Sequence, residues 1–183
     1  MCWDESGDVN KEAINLLLSI MQHHYKNFEK LNDPAQEKQY GSHIHSIIES
    51  LMKRVGGSNH ELRTQSLDAL LKISDYPLMD YAVQIDNVME DTGTGDQRHL
   101  VNKMTLIQDL IYKHKIDESK YDQTRLAKHA IRYLDHDSAE VKANSFMVML
   151  RQYEQMGGQL SPHIRSMRAI HKDVFDKATD IFD

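Results

Sequence analysis

Histidine is the residue type with the most chemistry to offer in this chain, since eleven of its 183 residues are His. His43 and His45 stand two positions apart, and on a helix that spacing turns the two side chains about 200° away from each other. Ligands of one metal ion must converge on it, so this pair lacks the spacing of a zinc site. The neighbours His23 and His24 fail for the same reason.

Asp135-His136-Asp137 has the composition of the His-Asp pair with which all-helical phosphohydrolases hold a metal ion that activates water. That chemistry needs further His and Asp ligands on other helices. Here the segment leads into Ser138, Ala139 and Glu140, and a Ser or Asp side chain at such a point accepts hydrogen bonds from the free amides of a helix start. We therefore expect Ser138 or Asp137 to cap a helix that begins at Ala139. We expect no catalytic residue, no metal site and no cofactor.

The glycine-rich segment 92–96 fits neither of two phosphate- or calcium-binding loops. No predicted strand precedes it and no Lys-Ser/Thr pair follows it, as a P-loop requires. Counted from Asp91 as a calcium loop, its twelfth position is Asn102 rather than Glu. We expect a turn between two helices.

Composition and charge limit the classes of partner. A net charge of −6 argues against non-specific nucleic-acid binding, which needs a basic surface. No apolar run approaches the 18 or so residues of a membrane span, and the acidic N-terminus is unlike a targeting peptide. Cys2 is the single cysteine, so no internal disulfide can form, which fits the reducing cytoplasm. The expected partner is another protein, with no nucleic acid and no membrane.

The apolar residues repeat with helical spacing along almost the whole chain. Three Pro and eight Gly are too few for a many-stranded barrel or sandwich. The pattern predicts an all-α protein of about eight helices, forming one domain over residues 1–183. The predicted breaks fall at 32–34, 55–59, 75–77, 92–96, 116–119, 135–138 and 157–158.

Several of these segments repeat one another. Leu62 and Ser66, spaced by four, recur as Val141 and Ser145. The other two copies are Val101 with Thr105 and Val9 with Ala13. The copies that begin at Leu62, Val101 and Val141 lie about 40 residues apart, which is the period of HEAT and armadillo helix pairs. This period favours an α-solenoid over a four-helix bundle and places the turns at 54–60, 92–98 and 135–138 along one edge.

The small residue in three copies predicts a close contact between helices. Ser66, Thr105 and Ser145 should be buried, each with its hydroxyl bonded to the carbonyl one turn earlier.

Two blocks, Gly57-Ser58-Asn59-His60-Glu61-Leu62-Arg63 and His136-Asp137-Ser138-Ala139-Glu140-Val141-Lys142, resemble the turn and helix start of TOG-type HEAT repeats. The C-terminal half, from Arg132 through Glu154 and ending in Ile170–Phe175, is most similar to the TOG domain of the ciliary-tip centrosomal protein family. The resemblance covers about residues 5–182. TOG domains usually have six repeats and this chain has about four such turns, so we expect a fragment of a longer protein or a shortened domain.

The resemblance implies a non-catalytic module that binds αβ-tubulin through the turns preceding these helices. It also implies a monomer in the cytoplasm and cytoskeleton, at the tip of a cilium or centriole. Tubulin is acidic, so the turns should present cations and an aromatic anchor. The expected contacts are Trp3, Asn59, His60, Arg63, Gln97, Arg98, Lys103, Ser138 and Lys142. The alternatives are that Trp3 folds onto the first helix, and that the array is a HEAT scaffold that binds another protein instead of tubulin.

Overall fold

The computed structural model describes residues 7–31, 34–76, 81–90, 96–115 and 122–180; for 24–31, 34–40 and 81–83 it describes the backbone alone. Within these ranges the chain forms nine α-helices, one 3₁₀ turn and no strand, which confirms the all-α prediction. The helices are α1 (Gly7–Leu31), α2 (Pro34–Val55), α3 (His60–Ile73), α4 (Tyr81–Glu90), α5 (Gln97–His114), α6 (Gln123–Tyr133), α7 (Ala139–Met156), α8 (Ser161–Arg165) and α9 (Ala169–Thr179). The 3₁₀ turn, Gly157–Leu160, joins α7 to α8.

The helices group into two compact units, divided between Thr94 and Gly95. The first unit contains α1 to α4 and the second contains α5 to α9. Each unit has its own buried residues and is described by itself below.

In the first unit, α1 and α3 run parallel. Asn10 Nδ2 donates to Gln65 Oε1 (2.9 Å), and eight residues further along α1 the carbonyl of Leu18 accepts from Tyr76 Oη (3.0 Å). The end of α2 lies beside the start of α1, because Arg54 Nη1 donates to Asn10 Oδ1 (3.1 Å). Helix α2 therefore runs antiparallel to α1 and α3.

The second unit repeats this arrangement. Gln108 Nε2 donates to Asn144 Oδ1 (3.1 Å), and Gln155 Nε2 donates to the Ile111 carbonyl (2.9 Å), so α5 and α7 advance in the same direction. Helix α6 runs the opposite way, since Gln152 near the end of α7 bonds to Gln123 at the start of α6 (3.0 Å).

A shared burial pattern relates the helices more closely than their sequences do. Counted from the capping residues Asn59, Asp96 and Ser138, positions 7, 10, 11 and 14 are buried in all three helices. These positions are Ser66, Ala69, Leu70 and Ile73 in α3; Lys103, Leu106, Ile107 and Leu110 in α5; and Ser145, Val148, Met149 and Gln152 in α7.

This pattern corrects the predicted register of two repeats. In α5 the buried pair is His99 and Lys103, while Val101 and Thr105 are only half-buried. In α1, Val9 is 49% exposed, and the buried residues are Asn10, Ile14 and Met21. The prediction followed apolar residues, whereas the inward face carries polar residues in both helices: Asn10 in α1, and His99 and Lys103 in α5.

The expected hydroxyl bonds form in two of the three places. Ser66 is fully buried and its Oγ donates to the Leu62 carbonyl (2.7 Å), as predicted. Thr105 Oγ1 donates to the Val101 carbonyl (3.0 Å), but this residue is half-buried. The prediction is wrong for Ser145, whose Oγ is buried without a hydrogen-bond partner.

Candidate functional site

The turn between α2 and α3 has the polar, exposed character expected of a binding edge. Asn59 caps α3, with its Oδ1 accepting from the amides of Glu61 (3.0 Å) and Leu62 (3.3 Å). Both Asn59 and His60 are exposed to solvent. An Asn at this position satisfies amides that would otherwise lack partners, so the cap fixes the shape of the turn.

Arg63 plays a structural part in this turn. Its Nη1 donates to the carbonyls of Gly57 (2.8 Å) and Ser58 (2.7 Å), and the side chain is half-buried. The guanidinium thus folds back on the turn that precedes its own helix. Its positive charge stays near the surface, but its hydrogen-bonding capacity is partly used within the molecule.

A polar network joins this turn to the start of α1. Asn10 is 1% exposed and bonds to both Gln65 and Arg54. Gln65 Nε2 also donates to the Gly7 carbonyl (3.1 Å). Because each member has a partner, the network fixes the spacing of two neighbouring helix starts.

In the second unit, three helix starts lie on one edge. Helices α5 and α7 are parallel neighbours, so the turns at 96–98 and 135–138 come together. The start of α9 joins them, because Arg168 Nη1 donates to Asp135 Oδ1 (2.7 Å). We call the residues at these three starts, 96–98, 135–142 and 165–172, the second-unit turn edge. Whether the 54–60 turn lies in line with this edge stays a prediction.

Asp135 holds this edge together. His171 Nε2 lies 2.9 Å from the same Oδ1 that accepts from Arg168. The hydrogen bond from His171, helped by that from Arg168, holds the pKa of the Asp135 carboxyl below its usual range. The next residue, His136, also bonds within the turn, since its Nδ1 accepts from the Ser138 amide (3.1 Å).

The His-Asp segment therefore has bonding partners that belong to a turn. Ser138 caps α7, as predicted, with its Oγ accepting from the Val141 amide (3.4 Å). Among the residues that the structure describes, no three His, Cys, Asp or Glu side chains are grouped closely enough to hold a metal ion.

Most of the predicted contact residues reach solvent. Asn59, His60, Gln97, Arg98 and Lys142 are exposed, and Arg63 and Ser138 are half-buried. Trp3 lies outside the described residues. The two basic side chains best placed for a partner on the second-unit turn edge are therefore Arg98 and Lys142.

Lys103 is a correction, because its side chain is 2% exposed and cannot serve as a surface cation. It stands seven positions after the cap Asp96, where α3 and α7 place the buried Ser66 and Ser145. The true register of α5 is offset by two residues from the predicted one, and that offset carries Lys103 inward.

The sequence reasoning missed the basic residues at the start of α9. Arg168 and Lys172 are exposed there, and so is Arg165 at the end of α8. Helix α9 begins after Arg168 without a side-chain cap, so the Ser, Asp or Asn signal of a helix start is absent.

In the structure, Lys172 follows a spacing that is shared with other helices. A cation stands four positions after the residue that precedes or opens the helix in four of the five related helices: Lys11, Arg63, Lys142 and Lys172. Helix α5 has Leu100 there and carries Arg98 instead.

His129 of the second unit lies close to three basic residues. The His129 imidazole is largely buried, and burial together with the charges of Lys103, Arg132 and Arg125 lowers its pKa to about 4. Its Nε2 is buried without a hydrogen-bond partner, and the ring packs edge-on against Tyr133, with centroids 5.2 Å apart. His129 is therefore neutral at physiological pH.

The first unit also has a groove between α2 and α4, with a volume of about 290 Å³. Ile48 and Met52 are its apolar residues, Glu49 and Glu90 contribute carboxylates, and Lys53 and His45 contribute basic groups. The Asn87 amide, whose Nδ2 is buried without a partner, also lines it. The groove therefore combines apolar surface with polar and charged side chains.

No helix in the described ranges has both the length and the apolar character needed to cross a bilayer.

Comparisons of the chain with protein-family models, with curated proteins and with solved structures gave no match.

Proposed function

We propose that each unit is a stretch of α-solenoid built from HEAT-like helix pairs, and that the protein is a non-catalytic, TOG-like module that binds αβ-tubulin. The parallel packing of alternate helices and the shared burial pattern support the solenoid. The observation that carries the function is the recurrence of an exposed cation near the start of α1, α5, α7 and α9: Lys11, Arg98, Lys142 and Lys172. A HEAT array presents such turns as one row, and an acidic partner is complementary to it.

On this proposal Arg98, Lys142 and Lys172 make the principal cationic contacts. All three are exposed and lie on the second-unit turn edge. Each exposed pair contributes only about 0.2–1 kcal/mol, so affinity depends on the row rather than on one residue. Arg63 contributes mainly by holding the turn in shape through its bonds to the Gly57 and Ser58 carbonyls.

The test is a titration of labelled, unpolymerised tubulin with charge-reversed variants. A single Lys142→Glu change should weaken binding by roughly two- to five-fold, since it removes one rim pair. The triple variant Arg98→Glu, Lys142→Glu, Lys172→Glu should weaken it by more than about tenfold through the combined repulsion. Lys128→Glu is the matched control, because Lys128 is exposed on the antiparallel helix α6, away from the helix starts.

Equal tubulin binding by the triple variant and the parent would show that the second-unit turn edge does not bind tubulin. Loss of binding in the Lys128→Glu variant would point to a contact on the other layer of helices. In each case circular dichroism would establish that the variants keep the helical content of the parent.

The second candidate is a scaffold that binds a protein other than tubulin. The groove between α2 and α4 favours it, because apolar, acidic and basic side chains together line a concave surface there. The resemblance to the ciliary-tip centrosomal TOG family supports tubulin as the partner, and with it a place at the microtubule ends of a cilium or centriole. We take tubulin binding as the leading proposal.

A further inference from the structure

Helix α1 carries a stripe of apolar side chains that the described residues leave uncovered. Val9 is 49% exposed, Leu16 60% and Ile20 43%, and Ala13 between them is half-buried. The spacing of four, three and four residues places all of them on one face of the helix. We call Val9, Ala13, Leu16 and Ile20 the α1 stripe.

The register of the related helices shows what such a face packs against. The α1 stripe occupies positions 2, 6, 9 and 13 counted from Gly7. In α3 the same positions, counted from Asn59, carry Glu61, Gln65, Asp68 and Lys72. In α3 this face points at the preceding parallel helix, since Gln65 bonds to Asn10 of α1. Gln65, Asp68 and Lys72 also line the small groove shared with α1.

Helix α7 gives an independent instance in the second unit. Its residue at position 6, Asn144, bonds to Gln108 of the preceding parallel helix α5 (3.1 Å). Its residue at position 13, Arg151, places its guanidinium over the Tyr112 ring of α5, 5.3 Å from the centroid. In both units, therefore, this face of the helix is where a parallel neighbour packs.

The α1 stripe differs from its counterparts in being apolar. Where α3 and α7 meet their neighbours largely through polar side chains, α1 presents Val, Ala, Leu and Ile. Apolar residues at helical spacing are the anchors by which one amphipathic helix binds another. The solvent-exposed border of the stripe carries Asp8 and Glu12, while Lys11 lies on the opposite side of the helix.

We propose that the α1 stripe binds an amphipathic helix of a partner protein, laid alongside α1 as α1 lies alongside α3, with Lys or Arg residues bordering its own apolar stripe. The acidic border is what selects this occupant. A second copy would offer the same α1 stripe, whose exposed border in the described residues carries Asp8 and Glu12 and no Lys or Arg, so it has no cation there to pair with these carboxylates. An anionic membrane surface would be repelled by the same carboxylates.

The probe is a fluorescein-labelled 21-residue peptide with Leu and Ile at the a and d positions of three heptads and Lys at e and g. A second peptide keeps the apolar residues and has Glu at e and g. Fluorescence anisotropy should show binding of the Lys peptide to the parent and little binding of the Glu peptide. Leu16→Gln should weaken binding of the Lys peptide by about tenfold or more, because it removes the most exposed anchor.

Two further variants separate the α1 stripe from general stickiness. Ile170→Gln removes an equally exposed apolar residue, 66% exposed, from α9, and it should leave peptide binding unchanged. Glu12→Lys should weaken binding of the Lys peptide several-fold and strengthen binding of the Glu peptide. A variant that binds the Glu peptide more tightly must be folded. The α1 stripe is separate from the second-unit turn edge. The peptide experiments therefore do not test tubulin binding, and the tubulin titration does not test peptide binding.

The proposal fails if the parent binds neither peptide, or if Leu16→Gln binds the Lys peptide as tightly as the parent. Equal binding of the two peptides would overturn the acidic border as the selecting feature. Leu16-dependent self-association in sedimentation experiments, without peptide binding, would make a second copy the occupant and would also overturn the proposal.

Discussion

At the scale of single residues, His129 is the clearest source of pH-dependent stability. Its pKa is lowered to about 4 by burial and by the charges of Lys103, Arg132 and Arg125, whereas an unfolded His titrates near 6.5. Below pH 6.5 the unfolded chain binds a proton that the folded chain does not accept until about pH 4. Stability therefore falls as the pH decreases across this window and is unaffected by His129 above it.

The predicted loss is at most about 3 kcal/mol between pH 7.5 and pH 4, from roughly 1.4 kcal/mol for each unit of pKa difference. Urea unfolding of the parent and of His129→Leu at several pH values measures it. The variant should lose less stability on acidification than the parent, because Lys103, Arg125 and Arg132 remain charged throughout. Parallel pH profiles for the two proteins would show that His129 is not the responsible group.

A pair of buried serines makes a matched comparison at the same scale. Ser66 Oγ donates to the Leu62 carbonyl, while Ser145 Oγ is buried without a partner. Ser66→Ala should cost about 0.5–1.5 kcal/mol of unfolding free energy, the usual net contribution of one hydrogen bond. Ser145→Ala should be neutral or stabilising, because it removes an unsatisfied polar atom. A larger loss for Ser145→Ala than for Ser66→Ala would contradict the structure.

At the scale of helices, the caps decide where each element begins. Ser138→Ala should destabilise the protein by about 1 kcal/mol, since the α7 amide now bonded to Ser138 Oγ would lose its partner. Asp137→Ala, one residue earlier and exposed, is the control and should change stability far less. Equal melting temperatures for the parent and Ser138→Ala would show that the cap does not stabilise α7.

The sequence predicted the elements better than it predicted their orientation. Apolar periodicity predicted the all-α class, and the side-chain oxygen of Ser138 identified the start of α7. Neither feature could predict the inward face of α5, because the buried positions there carry His99 and Lys103. Those residues are polar, so an apolar stripe drawn through α5 misses them. The apolar pattern therefore wrongly predicts that Lys103 lies at the surface.

The start of α9 was missed for a different physical reason. Arg168 precedes the helix without capping it, so no side-chain signal identifies the turn. Its position follows from the tertiary contact between Arg168 and Asp135, two residues far apart in the sequence. Contacts of this kind depend on which helices become neighbours, and local patterns do not encode that.

At the scale of the whole molecule, the balance of charge conceals a local arrangement. The net charge is −6, yet exposed cations recur near the starts of α1, α5, α7 and α9, the last three on the second-unit turn edge. An acidic partner would meet these side chains rather than the average surface. The proposed interface therefore depends on exposed charges, and such interactions weaken as salt shortens the screening length.

Gel filtration of the protein mixed with unpolymerised αβ-tubulin tests the proposed function most directly. At an ionic strength of about 0.01 M, where charges interact over roughly 30 Å, the protein should elute together with tubulin. At about 0.15 M, where that distance falls to roughly 8 Å, the shared peak should diminish. Separate elution of the two proteins at both ionic strengths would contradict tubulin binding by the turn edges.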